Sequence, residues 1–63
     1  MSNESHGELL HRIKNHLSVI FGFVELALED PDLSESVRAD LGEIRKAAQA
    51  ALLELPSLER AQP

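Results

Sequence analysis

Seven apolar residues, Val37, Leu41, Ile44, Ala48, Ala51, Leu55 and Leu58, recur at alternating spacings of four and three. An α-helix turns once in about 3.6 residues, so this rhythm places all seven along one seam, the a and d positions of a helix packed in bundle fashion. A half-buried strand would instead alternate at every second residue, and no stretch of the chain does so. The second half of the chain therefore reads as a helix that needs another helix beside it.

The first half supplies one. Ser5 followed three residues later by Glu8 is a capping-box pattern, and helix-compatible spacing then runs without proline to Glu29. Asp30-Pro31-Asp32 is turn chemistry, and Asp32 with Glu35 repeats the capping pattern. The spacing predicts helix 1 over about 6–29, a turn at 30–32 and helix 2 over about 33–55. Pro56 lacks an N–H and crowds the preceding turn, so the regular helix is expected to end or kink near Leu55, with 57–63 a frayed tail. A turn centred on Pro31 and Asp32 sets residues whose numbers sum to about 63 side by side, which brings Pro56 level with Gly7 and ends both helices at one height. The expected fold is all-α: one domain, 1–63, built as an antiparallel two-helix hairpin.

On a wheel at about 100° per residue, Leu10, Ile13, Leu17, Ile20, Val24, Ala27 and Leu28 share one face of helix 1. Val19, Phe23 and Leu26 widen the apolar arc to roughly 220°, where one neighbour covers little more than ~100°. Two hairpins paired as a four-helix bundle would cover it, since each helix then touches two others. A lone domain of about 60 residues is also marginal, because it buries only ~60% of its unfolded surface. The expected state is a homodimer. His11, Asn15, Ser18, Gly22 and Glu29 fall on the opposite, polar side, so His11 is expected to face solvent.

Composition narrows the function classes. The chain has 63 residues, a formal net charge of −5 and no cysteine, which excludes disulfides, zinc knuckles and thiol catalysis. Its acidic balance argues against a nucleic-acid partner. No apolar run approaches ~18 residues and no leader pattern appears, so neither a membrane segment nor export is expected and the cytoplasm is the default. His6, His11 and His16 are five residues apart, and each step rotates about 140°, so the three do not converge on a metal. Residues 25 to 43 hold seven carboxylates against Arg38 alone, whereas the open end, with Arg12, Lys14, Arg45, Lys46 and Arg60, is close to neutral. Added phosphate would meet less like charge at the open end.

The stretch from Leu10 to Leu26, LHRIKNHLSVIFGFVEL, resembles the H-box helix of sensor histidine kinases: a histidine, an Asn or Thr four residues on, then a Leu, an Ile and a Gly-aromatic pair before an acidic residue. Asp40 to Ala48 is similar to the second helix of the same dimerisation and histidine-phosphotransfer domain. The resemblance covers roughly residues 5 to 55. It implies a homodimeric bundle in two-component signalling, with His11 as phosphoacceptor and a receiver-domain aspartate as partner. Asn15 matches the position that helps to place the attacking water in phosphatase reactions. Two residues depart from the pattern: Arg12 stands where an acidic residue usually follows the histidine, and His16 stands where many members have proline. Glu8, one turn before His11, is placed to accept a hydrogen bond from its ring and fix the tautomer, while Arg12 and Lys14 are placed to offset phosphate charge. The ATP-binding domain that follows in such kinases is not within these 63 residues, so no cofactor is expected here. ATP and Mg would enter only through a separate kinase domain acting in trans, or through a longer kinase of which this chain is a piece.

An alternative of another class needs no chemistry. The same seam would serve a non-catalytic interaction protein that pairs with itself or with a kinase's matching domain.

Overall fold

The computed structural model describes the backbone of residues 2–60 and the side chains of 7–58 and 60. Helix α1 spans Ser2–Leu28 and helix α2 spans Glu35–Arg60, packed side by side as a hairpin. The hairpin is a rod of 49 × 16 × 12 Å with a radius of gyration of 15.0 Å, where a compact chain of this length would have about 11 Å.

The helix ends differ from the sequence expectation, each for a local reason. Helix α1 already runs through Ser5, so Ser5 is not its N-cap; nothing before Gly7 is a helix breaker. Helix α2 is capped by Ser34 rather than Asp32: the Ser34 Oγ accepts from the Val37 N–H at 3.2 Å, and its carbonyl accepts from the Arg38 N–H at 2.9 Å. Asp32 is held two residues earlier, its N–H donating to Asp30 Oδ1 at 2.9 Å in an Asx turn. At its far end α2 continues through Pro56 to Arg60 instead of stopping at Leu55. Proline removes a single backbone donor, but its fixed φ is itself helical, so the helix loses one bond and carries on. Residues 61–63 of the expected tail lie outside the described residues.

The register also differs. Glu25 pairs with Arg45 at 3.2 Å, and Lys14 and Ser18 line one crevice with Pro56 and Leu52, so facing residues have numbers that sum to 70. Pro56 is level with Lys14, not Gly7, and helix 2 is displaced by seven residues, roughly 10 Å, towards the turn. The physical cause is the connection, which rises beside the first turn of α2 before reversing. A 27-residue helix is roughly 40 Å long, and this overhang accounts for the rest of the rod.

Arg38 holds that connection in place. Helix α1 has no basic residue in its last turn; its Leu26 and Ala27 carbonyls accept from the Glu29 and Asp30 N–H groups, while the Leu28 carbonyl takes its donor from the other helix. The Arg38 guanidinium donates there through Nη1 at 3.0 Å and, through Nη2, to the Asp30 carbonyl of the connection at 2.8 Å. A cation at this terminus also suits the helix dipole.

The core is thin. Leu10 and Val24 of α1 and Ala48 and Leu55 of α2 are its buried residues, and no described side chain is wholly enclosed. Heptad spacing explains the pattern. Leu10, Leu17 and Val24 form one column of α1, and Leu41, Ala48 and Leu55 form one column of α2; these six are buried or half-buried against each other. The companion columns are mostly open: Ile13 and Ile20 on α1, and Val37, Ile44 and Leu58 on α2, are exposed, while Ala27 and Ala51 in the same columns are half-buried. Right-handed antiparallel helices place both open columns on the same side of the hairpin. Val19, Phe23 and Leu26, the second strip, lie farther round α1 and are exposed as well, Phe23 to 67%.

Replacing Arg38 with alanine removes two hydrogen bonds that tie the turn to helix α2. Arg38→Ala should lower unfolding stability by about 1 kcal/mol, with Arg38→Lys recovering only part because one ammonium does not span both oxygens. Urea unfolding at a fixed chain concentration measures both, and an unchanged midpoint in Arg38→Ala would refute the cap.

Candidate functional site

The polar side of α1 begins beside the helix contact and runs away from the open apolar face. Taking the Leu10–Leu17–Val24 column as the direction of α2, Lys14 and Ser18 lie at the near edge of this side, and His11, Gly22 and Asn15 follow. Helical spacing alone sets this order, because no glycine or proline bends the helix between Glu8 and Phe21.

His11 is exposed, as are Glu8, Arg12, Lys14 and Asn15, so all five candidate residues are accessible to solvent. Glu8, His11 and Arg12 line one surface hollow with Gly7, of about 460 Å³. The register puts this hollow at the open end of the rod, far from the acidic turn. Lys14 is turned from it towards α2 and contributes to a separate crevice. Asn15 lies a turn beyond His11 and lines neither. Glu8 is beside His11, but no hydrogen bond joins them among the described residues, so the ring's tautomer is not fixed from within this part of the chain. His16 is also exposed, between the open column and the outer strip; the side chain of His6 lies outside the described residues.

The electrostatics follow from which charges are already engaged. Near the turn, Arg38 is committed to backbone carbonyls and Arg45 to Glu25. Both members of the Glu25–Arg45 pair are nearly half exposed, so the pair is worth under ~1 kcal/mol and serves mainly to hold register. Lys46 pairs with Glu43 one turn away on the surface of α2. Arg12 and Lys14 belong to neither pair. Chemically, the hollow offers an accessible imidazole beside a carboxylate and a guanidinium, a nucleophile with a proton acceptor and an anion partner at hand. Among the described residues no group of three His, Asp or Glu side chains is disposed to hold a metal ion. No described helix is long and apolar enough to cross a membrane.

What the sequence reading missed is the crevice between Lys14 and Pro56, because the expected register set those residues about seven positions apart. Only a known register makes that juxtaposition readable.

Comparisons with protein-family models, with curated proteins and with solved structures find no match to this chain.

Gly22 sits on the polar side, and a Cβ built on it would meet nothing within 4 Å in the hairpin. Gly22→Ala should raise helix stability by about 1 kcal/mol, read as a higher melting temperature at fixed concentration. A fall instead would show that another chain approaches this position closely.

Proposed function

We propose that this chain is a histidine-phosphotransfer and dimerisation module of two-component signalling, acting in the cytoplasm, with His11 as the phosphoryl carrier. The observation that carries the reading is the exposure of His11 in a hollow shared with Glu8 and Arg12, on the side of α1 turned from the open apolar face. The H-box resemblance from Leu10 to Leu26 supports it independently.

Histidine suits the step because a neutral imidazole nitrogen is a nucleophile, and the exposure of His11 leaves it accessible to a donor. A lone pair on a ring nitrogen attacks the donor phosphorus, an N–P bond forms, and the P–O bond to the donor breaks with its electrons leaving on oxygen. The proton on the other ring nitrogen passes to Glu8 or to water. In the onward step a receiver-domain aspartate oxygen attacks the phosphorus, the N–P bond breaks, and the imidazole recovers a proton. Arg12 and Lys14 offset phosphate charge without taking part in bond making. Asn15, one turn on from His11, would orient water if the module also removes phosphate. A donor nucleotide would be bound by a separate kinase domain, or the donor would be a phosphorylated receiver.

The second copy belongs on the open face. Ile13 and Ile20 on one helix and Val37, Ile44 and Leu58 on the other form a two-helix-wide apolar surface, and a two-fold related copy presents the same surface back. Pairing there yields a four-helix bundle and leaves His11 outside it.

Incubation with a phosphorylated receiver domain should place acid-labile phosphate on the chain; equal labelling of His11→Ala would reject the phosphoacceptor role. Light scattering should give twice the 7.0 kDa chain mass, and Ile44→Asp should halve it. A folded monomer of the unaltered chain at micromolar concentration would reject the pairing. If His11→Ala keeps both its mass and its effect on a kinase, the non-catalytic interaction reading takes precedence.

A further inference from the structure

The polar side of the hairpin carries an interhelical crevice that shares only Lys14 with the proposed phosphotransfer. Lys14 and Ser18 of α1 face Leu52, Leu55 and Pro56 of α2 across about 340 Å³, within the size range of small-ligand sites. Its floor is apolar: Leu55 is buried and Leu52 half-buried.

One wall is made unusual by proline. Pro56 stands inside helix α2, where its nitrogen has no hydrogen to give the carbonyl of Leu52 four residues earlier. Leu52 and Pro56 both line the crevice, and within the helix this carbonyl has no N–H four residues on from which to accept. Three polar functions thus border one apolar floor: the Lys14 ammonium, the Ser18 hydroxyl and the Leu52 carbonyl.

The complement of that set carries an anion, a donor and a short apolar body together. A fatty acid answers the ammonium but leaves the carbonyl unpaired. An alkylamine answers the carbonyl but sets like charge against Lys14. We propose that the crevice binds a small apolar α-amino acid, its carboxylate on Lys14, its ammonium donating to the Leu52 carbonyl and Ser18 Oγ, and its side chain lying on Leu55 and the Pro56 ring. The crevice is opposite the open apolar face and remains accessible when two copies pair. Lys14 is one turn from His11, so a bound carboxylate that neutralises it weakens the cationic surroundings of a phosphate on His11. That coupling rests on the phosphotransfer reading; the binding itself does not.

The test titrates the full 63-residue chain with free leucine, hexanoate or hexylamine and follows the methyl and amide resonances of Leu52, Leu55 and Ser18. Leucine should shift these residues saturably and bind at least tenfold more tightly than either comparison compound. Pro56→Ala returns an N–H to the Leu52 carbonyl and should weaken leucine binding about tenfold while helix content holds or rises, so the loss is not unfolding. Lys14→Gln should weaken it similarly, and His11→Ala should leave it unchanged. Equal binding of hexanoate, or full binding by Pro56→Ala, overturns the proposal. Failure here leaves labelling of His11 untouched, and absent labelling leaves leucine binding to stand on its own.

Discussion

Two helices lying side by side can shield only one side of each, and everything else in this molecule follows from that shortage. Leu10, Leu17 and Val24 meet Leu41, Ala48 and Leu55, and among the described residues no third element covers the flanking columns. The contact is long and shallow, so every side chain in it keeps some solvent exposure. At roughly 25 cal/mol per Å² of apolar surface removed from water, such a seam stabilises far less than an enclosed core of equal composition. A second layer on the open columns is the natural remedy, and it is the physical reason that pairing enters the functional proposal.

The same geometry sorts chemistry from assembly. Because the open columns of both helices share one side, polar and ionisable groups collect on the other. The Glu25–Arg45 pair, the Lys14 crevice and the His11 hollow all lie off the apolar face. A reactive imidazole placed there can meet a visiting protein without interrupting the packing that holds the helices. Charge is graded along the axis as well as across it. The carboxylates of residues 25 to 43 crowd the turn, where Arg38 is spent on carbonyls, while His11 stands at the opposite end with Arg12 beside it.

The hairpin, its two helices and the turn between them were legible in the sequence because they depend on local signals: a proline between aspartates, unbroken helical spacing on both sides, and the 4-3 rhythm from Val37 to Leu58. The caps were less legible, since Asp32 and Ser34 are both good caps and the choice fell to the Asx turn that Asp30 makes with Asp32. The register is not legible in the sequence, because a connection that climbs before it reverses displaces one helix along the other without altering any local pattern. Pro56 predicts an end or a kink near Leu55, and its fixed φ permits the continuation to Arg60 that the helix shows. Among the candidate residues, exposure of His11 and Asn15 agrees with the wheel, whereas the separation of Lys14 from the His11 hollow does not follow from one helix alone.

The sequence by itself determined which residues share a helix face, since a period of about 3.6 residues is a property of the backbone and is indifferent to what lies alongside. It thereby set His11 apart from the apolar arc and made an antiparallel pair of helices the economical fold. Only the tertiary structure decided which half of that arc is used within the chain, which residues stand level across the contact, and that Lys14 meets Pro56. Those outcomes depend on how one helix slides and rolls against another, and several offsets bury similar apolar area. The deciding contacts, Arg38 on the Leu28 and Asp30 carbonyls and Arg45 on Glu25, join residues distant in the chain and leave no local trace in it.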